Sequence, residues 1–182
     1  MILGLDVSTS ITGATIVKDG KIIISSYWDT RNKKHFPNLY HKARFIKHKL
    51  LDIDDKFYVE KIYIEQSLQS FRSGFSSAKT LSTLARFNGM VSWLCAETFE
   101  IEPEMIAASS ARKKAGVIIK RGDNAKEKVL QFVLDNYSQI AIEYTKHGNP
   151  KPGTLDMCDS VIIALAGDKI VRETTNTSKV SR

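Results

Sequence analysis

The spacing of hydrophobic positions changes several times along the chain, and each change marks an expected element. Residues 1–8, MILGLDVS, form an almost unbroken apolar run broken at Asp6, the pattern of a strand buried on both faces. In TGATIVKDGKIIISSYW two runs rich in β-branched residues meet at Asp19-Gly20, a pair suited to the left-handed turn of a hairpin. Three antiparallel strands are therefore expected to open the chain. The period then lengthens: Leu39, Ala43, Ile46 and Leu50 recur at three- and four-residue steps, which predicts an amphipathic helix. KIYIEQ returns to a strand. Residues 76–97 read as a long helix, apolar over much of its circumference after Leu84 (Ala85, Phe87, Met90, Val91, Trp93, Leu94), either a central core helix or a contact between two copies. EPEMIAAS reads as a short strand. SARKKAGVII and NAKEKVLQFVLDNY read as helices, the second capped by Asp123 or Asn124. After the Gly/Pro loop KHGNPKPG comes a last helix, TLDMCDSVIIALAGDKIV. A hairpin sheet followed by alternating helices and strands predicts one mixed α/β domain over residues 1–172, with helices on the sheet faces. The polar residues 173–182 are expected to be disordered.

Composition narrows the class more than the function. A chain of 182 residues, 42% apolar and 26% charged, suits one soluble domain. No apolar run approaches the roughly 20 residues of a membrane span. The start lacks the basic residues and small-residue cleavage site of a signal peptide. Cys95 and Cys158 sit in apolar helical surroundings without CxxC spacing, which argues against a zinc site or disulfide framework and makes a reducing cytoplasm the expected location.

Charge points to a polyanion. Lys and Arg total 27 against 20 Asp and Glu, a net +7. The excess is concentrated. Between Arg31 and Lys49 lie seven basic residues and no acid, and between Arg112 and Lys128 seven more (Arg112, Lys113, Lys114, Lys120, Arg121, Lys126, Lys128) against Asp123 and Glu127. Two such segments could line one surface, or simply be solvated helix faces.

Against this basic background a few acids occupy unusual positions. Asp6 interrupts a buried strand, where an unpaired charge is expensive; it could instead cap the Ser8-Thr9 turn that follows. Glu65 ends the strand in YIEQ. Asp156 and Asp159 share one face of the last helix, where they could equally answer its dipole, with Thr154 as the cap. If the first and fourth strands are neighbours and the last helix packs beside them, all four carboxylates face one cleft. Four acids so close cannot all stay ionised without cations. Hard oxygen donors suit Mg²⁺ or Mn²⁺, and a pair of such ions is suited to phosphodiester hydrolysis. No His/Cys cluster or Gly-rich Walker loop competes, and three of the four histidines (His35, His41, His48, His147) lie in or beside the first basic helix.

GLDVSTSITGATIV, YIEQSL and LDMCDSVIIALA resemble the three acidic motifs of the RuvC-type Holliday junction resolvases, in order and approximate spacing, over residues 1–172. The resemblance implies a ribonuclease H-like fold, in which three antiparallel strands are followed by parallel ones. It also implies a homodimer that nicks branched DNA symmetrically, leaving 5′-phosphate and 3′-hydroxyl ends. Asp6, Glu65, Asp156 and Asp159 would hold two Mg²⁺ ions, replaceable by Mn²⁺. Lys126 and one of Lys113 and Lys114 match lysines that contact DNA near the cut, with Arg112, Lys120 and Arg121 beside them. The long helix falls where that family dimerises. The family often carries an aromatic wedge shortly after IEQ; this chain has Leu68 there, with Phe71 or Phe75 as substitutes. Other readings remain open: a nuclease of the same fold acting on other branched DNA or RNA/DNA hybrids, or an inactive DNA-binding module. The opening also resembles sugar kinases and actin-like ATPases, whose two domains would need a longer chain.

Overall fold

A computed structural model of the chain describes residues 1–66 and 78–180, the last three as backbone. Among the described residues five strands form one sheet: β1 (Ile2–Asp6), β2 (Ile11–Lys18), β3 (Lys21–Asp29), β4 (Lys61–Glu65) and β5 (Glu104–Ile106). Among the same residues five helices accompany them: α1 (Leu39–Asp54), α2 (Ala78–Phe99), α3 (Ala108–Ala115), α4 (Ala125–Asn136) and α5 (Thr154–Val180). The sheet order is β3-β2-β1-β4-β5, with β1–β2 and β2–β3 antiparallel and β1–β4 and β4–β5 parallel. This is the ribonuclease H-like arrangement expected from the sequence. The β2–β3 hairpin turns at Asp19 and Gly20, both with positive φ (51° and 76°).

Helices cover both faces of the sheet. Alternation along β1 sends Leu3 and Leu5 to the side of α1 and α2, and Ile2, Gly4 and Asp6 to the side of α3, α4 and α5. On β4, Ile62 and Ile64 face the first layer and Tyr63 the second. Each large aliphatic residue fully buried here, such as Leu3, Ile46 or Ile162, contributes roughly 1.5–3 kcal/mol of transfer free energy. The second layer is seated unusually close. A Cβ at Gly4 would collide with the backbone of Ala164, and one at Gly13 with the carbonyl of Asp156, so α5 rests main chain to main chain on β1 and β2.

Two helix ends differ from expectation. The basic helix stops at Ala115 because Gly116 takes the left-handed conformation (φ 101°) and its N–H caps the Arg112 and Lys113 carbonyls, leaving Val117 to Ile119 in a loop. At the other extreme, α5 runs on to Val180 through the stretch expected to be disordered. Glu173 is paired with Lys114 of α3, and the Thr174 and Thr175 hydroxyls bond back to the carbonyls one turn earlier. Among the described residues no helix is long and apolar enough to cross a membrane.

Candidate functional site

The period of two that builds the sheet also aims its acids. Asp6, an even-numbered residue of β1, points to the α5 side, as do Ile2 and Gly4; Glu65 follows Tyr63 on the same face of β4. β1 and β4 are parallel neighbours in register through Leu5 and Ile64, so both acids stand at adjacent strand ends. Asp6 pairs with Gly13 of β2, and Gly13 lies beneath the carbonyl of Asp156. The first turns of α5 thereby arrive over Asp6, carrying Asp156 and Asp159 on one face. The structure thus places the four acids singled out by sequence in one region.

Electrostatics agree with the placement. Burial pushes the Asp6 carboxyl well above the ordinary range, and repulsion from Glu65, Asp159 and Asp156 raises it further, with Lys126 in opposition. Glu65 is pushed up to about 7 by burial and by Asp159, against the pull of Arg112 and Lys126. Asp159, only 6% exposed, is raised by burial and by Asp156, again opposed by Lys126 and Arg112. Among the described residues none of the four side chains takes part in a hydrogen bond or ion pair. Asp6 does not close the turn that follows it: Ser8 does, accepting from the Ser10 and Ile11 N–H groups and donating to the Ile11 carbonyl.

The backbone at Glu65 is held from both sides. The buried Asn88 amide of α2 donates to the Glu65 carbonyl at 3.1 Å, and the Gln66 N–H donates to the Ile106 carbonyl at 2.9 Å. Asn88 carries no sequence signal of this role, since its partner is a backbone carbonyl 23 residues earlier in the chain.

Among the described residues, Lys126 and Arg112 act on Glu65 and Asp159. Lys126 sits in the first turn of α4, whose N-cap Asn124 accepts from the Lys126 N–H. Half-buried Arg112 lies on α3, which follows β5 and so starts beside Glu65. The doublet next to it behaves differently. Lys114 is turned to Glu173 at 2.5 Å, and Lys113 is exposed. Lys120 and Arg121 are exposed in the loop between α3 and α4. Leu68, Phe71 and Phe75 lie outside the described residues. On α2, Phe87, Val91, Leu94 and Cys95 enter the core, whereas Ala85, Gly89 and Trp93 are exposed. The long helix therefore has a core face and an open face.

As to metal, the donor set consists of hard carboxylate oxygens, buried at Asp159 and half-buried at the other three, that repel one another and have no hydrogen-bond or ion-pair partner among the described residues, which suits Mg²⁺ or Mn²⁺. Among the described residues no three His, Cys, Asp or Glu side chains are grouped closely enough to enclose an ion as they stand. The chemistry of the set fits divalent cations; its spacing as it stands does not enclose one.

No protein-family model and no curated protein sequence matches the chain. Solved structures do. The chain is similar to RuvC of Thermus thermophilus in complex with a Holliday junction substrate, with a TM-score of 0.64 at 17% identity over 94% of each chain. It is similar to a second Thermus thermophilus RuvC structure at 0.64 and 15%, over 96% of each chain. The yeast mitochondrial Holliday junction resolvase Ydc2 superposes at 0.58 and 16%, over 100% of this chain and 84% of that one. The fold is that of these resolvases.

Proposed function

We propose that this chain is a structure-selective DNA endonuclease that resolves four-way junctions as a homodimer, by metal-dependent hydrolysis leaving 5′-phosphate and 3′-hydroxyl ends. The observation that carries the reading is the gathering of four carboxylates, on β1, β4 and α5, that have no hydrogen-bond or ion-pair partner among the described residues, within a fold shared with junction resolvases.

Asp6, Glu65, Asp156 and Asp159 would hold two Mg²⁺ ions. Bound there, the ions would supply the Lewis acidity that activates water and stabilises the oxygen leaving phosphorus. The protein's own part is positioning and charge. Gly13 and Asn88 fix where α5 and Glu65 stand. Lys126 and Arg112 set positive charge beside the acids, where it offsets that of a scissile phosphate. Exposed Lys113, Lys120 and Arg121 would hold neighbouring phosphates, with Lys114 joining them on release from Glu173. Phe71 or Phe75 would wedge into the junction. The open face of α2, with Trp93 62% exposed, would meet its symmetry mate, giving two sites related by a two-fold axis.

Incubation with a synthetic four-way junction and Mg²⁺ tests this directly. The wild type is expected to make paired symmetric nicks, and Asp6→Asn to bind the junction without cutting. Undiminished nicking by Asp6→Asn would remove Asp6 from the mechanism.

A further inference from the structure

The reading above uses the basic residues on one side of the carboxylates. The other basic segment, from Arg31 onward, is placed with equal definition. The sheet order puts β3 at one edge and β5 at the other, with Asp6 and Glu65 on the two strands between β2 and β5. Asp29, the last residue of β3, pairs with Ile11 at the start of β2, so β3 ends where β1 ends. The chain beyond it stays there. The Thr30 N–H and hydroxyl both donate to the Ser10 carbonyl, at 2.8 and 3.1 Å, and the Lys42 ammonium on α1 donates to the Thr9 carbonyl. Residues 31–42 are thus fastened at both ends to the β1–β2 turn, next to Asp6.

Within this segment Arg31, Lys33 and Lys34 are exposed, and Tyr40 is 66% exposed. No acid occurs between Arg31 and Lys49. Arg31 is held by Asp29 at 2.6 Å and also feels Asp156, which brings it to the rim of the acidic cluster. Among the described residues Lys33 and Lys34 form no ion pair. The acidic cluster is therefore flanked by positive charge at both edges of the sheet. Five strands at about 4.8 Å spacing are about 19 Å across. At about 3.4 Å per nucleotide, that width matches roughly five or six nucleotides of one strand.

We propose that residues 31–42 form a second DNA-binding arm, which grips backbone phosphates on the opposite side of the cut from α3 and α4. Lys33 and Lys34 contact phosphates, and Tyr40 offers a ring against which a base or sugar packs. The inference rests on the nuclease reading for its substrate, but binding alone tests it.

The test compares Lys33→Ala/Lys34→Ala with Lys18→Ala/Lys21→Ala, which removes equal charge at the far end of the same sheet. Affinity for a synthetic four-way junction is measured across salt concentrations, with Ca²⁺ in place of Mg²⁺. Losing two phosphate contacts is expected to weaken binding about tenfold and make the log–log salt slope shallower by roughly 2. The distant pair is expected to keep the wild-type slope. Unchanged affinity and slope in Lys33→Ala/Lys34→Ala, or equal losses in both variants, would overturn the arm. A wild type that binds junctions but never nicks removes the nuclease reading while the slopes still judge the arm. Failure to bind branched DNA at all overturns both.

Discussion

Asp159 and Asp168 lie on the same helix, are 6% and 5% exposed, and serve opposite ends of the sheet. Asp168 is satisfied from within. It accepts from the Gly20 N–H at 2.9 Å and pairs with Arg172 at 2.7 Å, pinning the β2–β3 hairpin to α5. Asp159 has no such partner among the described residues and stands with Asp6, Glu65 and Asp156, its carboxyl raised by burial and repulsion. Burial alone therefore does not separate a structural acid from a functional one. The useful distinction is whether the charge is answered inside the molecule or left for something that arrives from outside.

The largest effect that tests this contrast comes from isosteric substitution at Asp159. Asp159→Asn is expected to slow junction nicking more than about 100-fold, the upper range for disturbing mere supporting partners of a metal site. Junction binding should persist, and the melting temperature should stay or rise because a desolvated charge is gone. Asp168→Asn should do the reverse: a loss of about 1–3 kcal/mol in a denaturant titration, with nicking retained at temperatures where the variant is folded. If Asp168→Asn abolished nicking without destabilising the fold, the two acids would no longer differ in kind.

The smallest expected effect is on pH dependence. Glu65 is raised from about 4.5 to about 7, and Asp6 and Asp159 move the same way. Between those pH values the folded chain holds protons that the unfolded chain has released. The contribution of these three groups to stability without divalent ions should therefore be most favourable below the unfolded pKa and fall as pH rises toward 7. If Mg²⁺ is held by these carboxylates as proposed, it would take the place of the protons, so the rise in melting temperature that it causes should be larger near pH 8 than near pH 5. Glu65→Gln should flatten the metal-free slope, which differential scanning calorimetry would read.

Much of the fold was legible because its signals are local. Asp19-Gly20 specifies its own turn, the spacing of Leu39 to Leu50 specifies α1, and Asn124 caps α4 as its position suggests. The helix boundaries that differed depend on weaker or more distant terms. Gly116 ends α3 by a backbone conformation open to it wherever it sits, and α5 continues through polar residues that include Glu173, which pairs with Lys114 on another helix. For the site, the acids could be picked out as charges at odds with their surroundings. What supports them could not. That Gly13 lies under Asp156, that Asn88 holds Glu65, and that Arg112 rather than the Lys113–Lys114 pair approaches the acids are all facts of long-range packing. The second basic segment was visible as charge, but its seat beside Asp6 depends on Thr30 and Lys42 reaching the preceding turn.

The seating of α5 on Gly13 has a consequence for how the molecule tolerates change. Where helix and strand meet through side chains, a swapped methyl group shifts the helix and is absorbed by repacking. Here the spacer is a lone hydrogen atom, and no rotamer exists to adjust. The alignment of the Asp156 turn with β1 is insulated from drift in the aliphatic layers around it, yet it has no slack against one added carbon at residue 13.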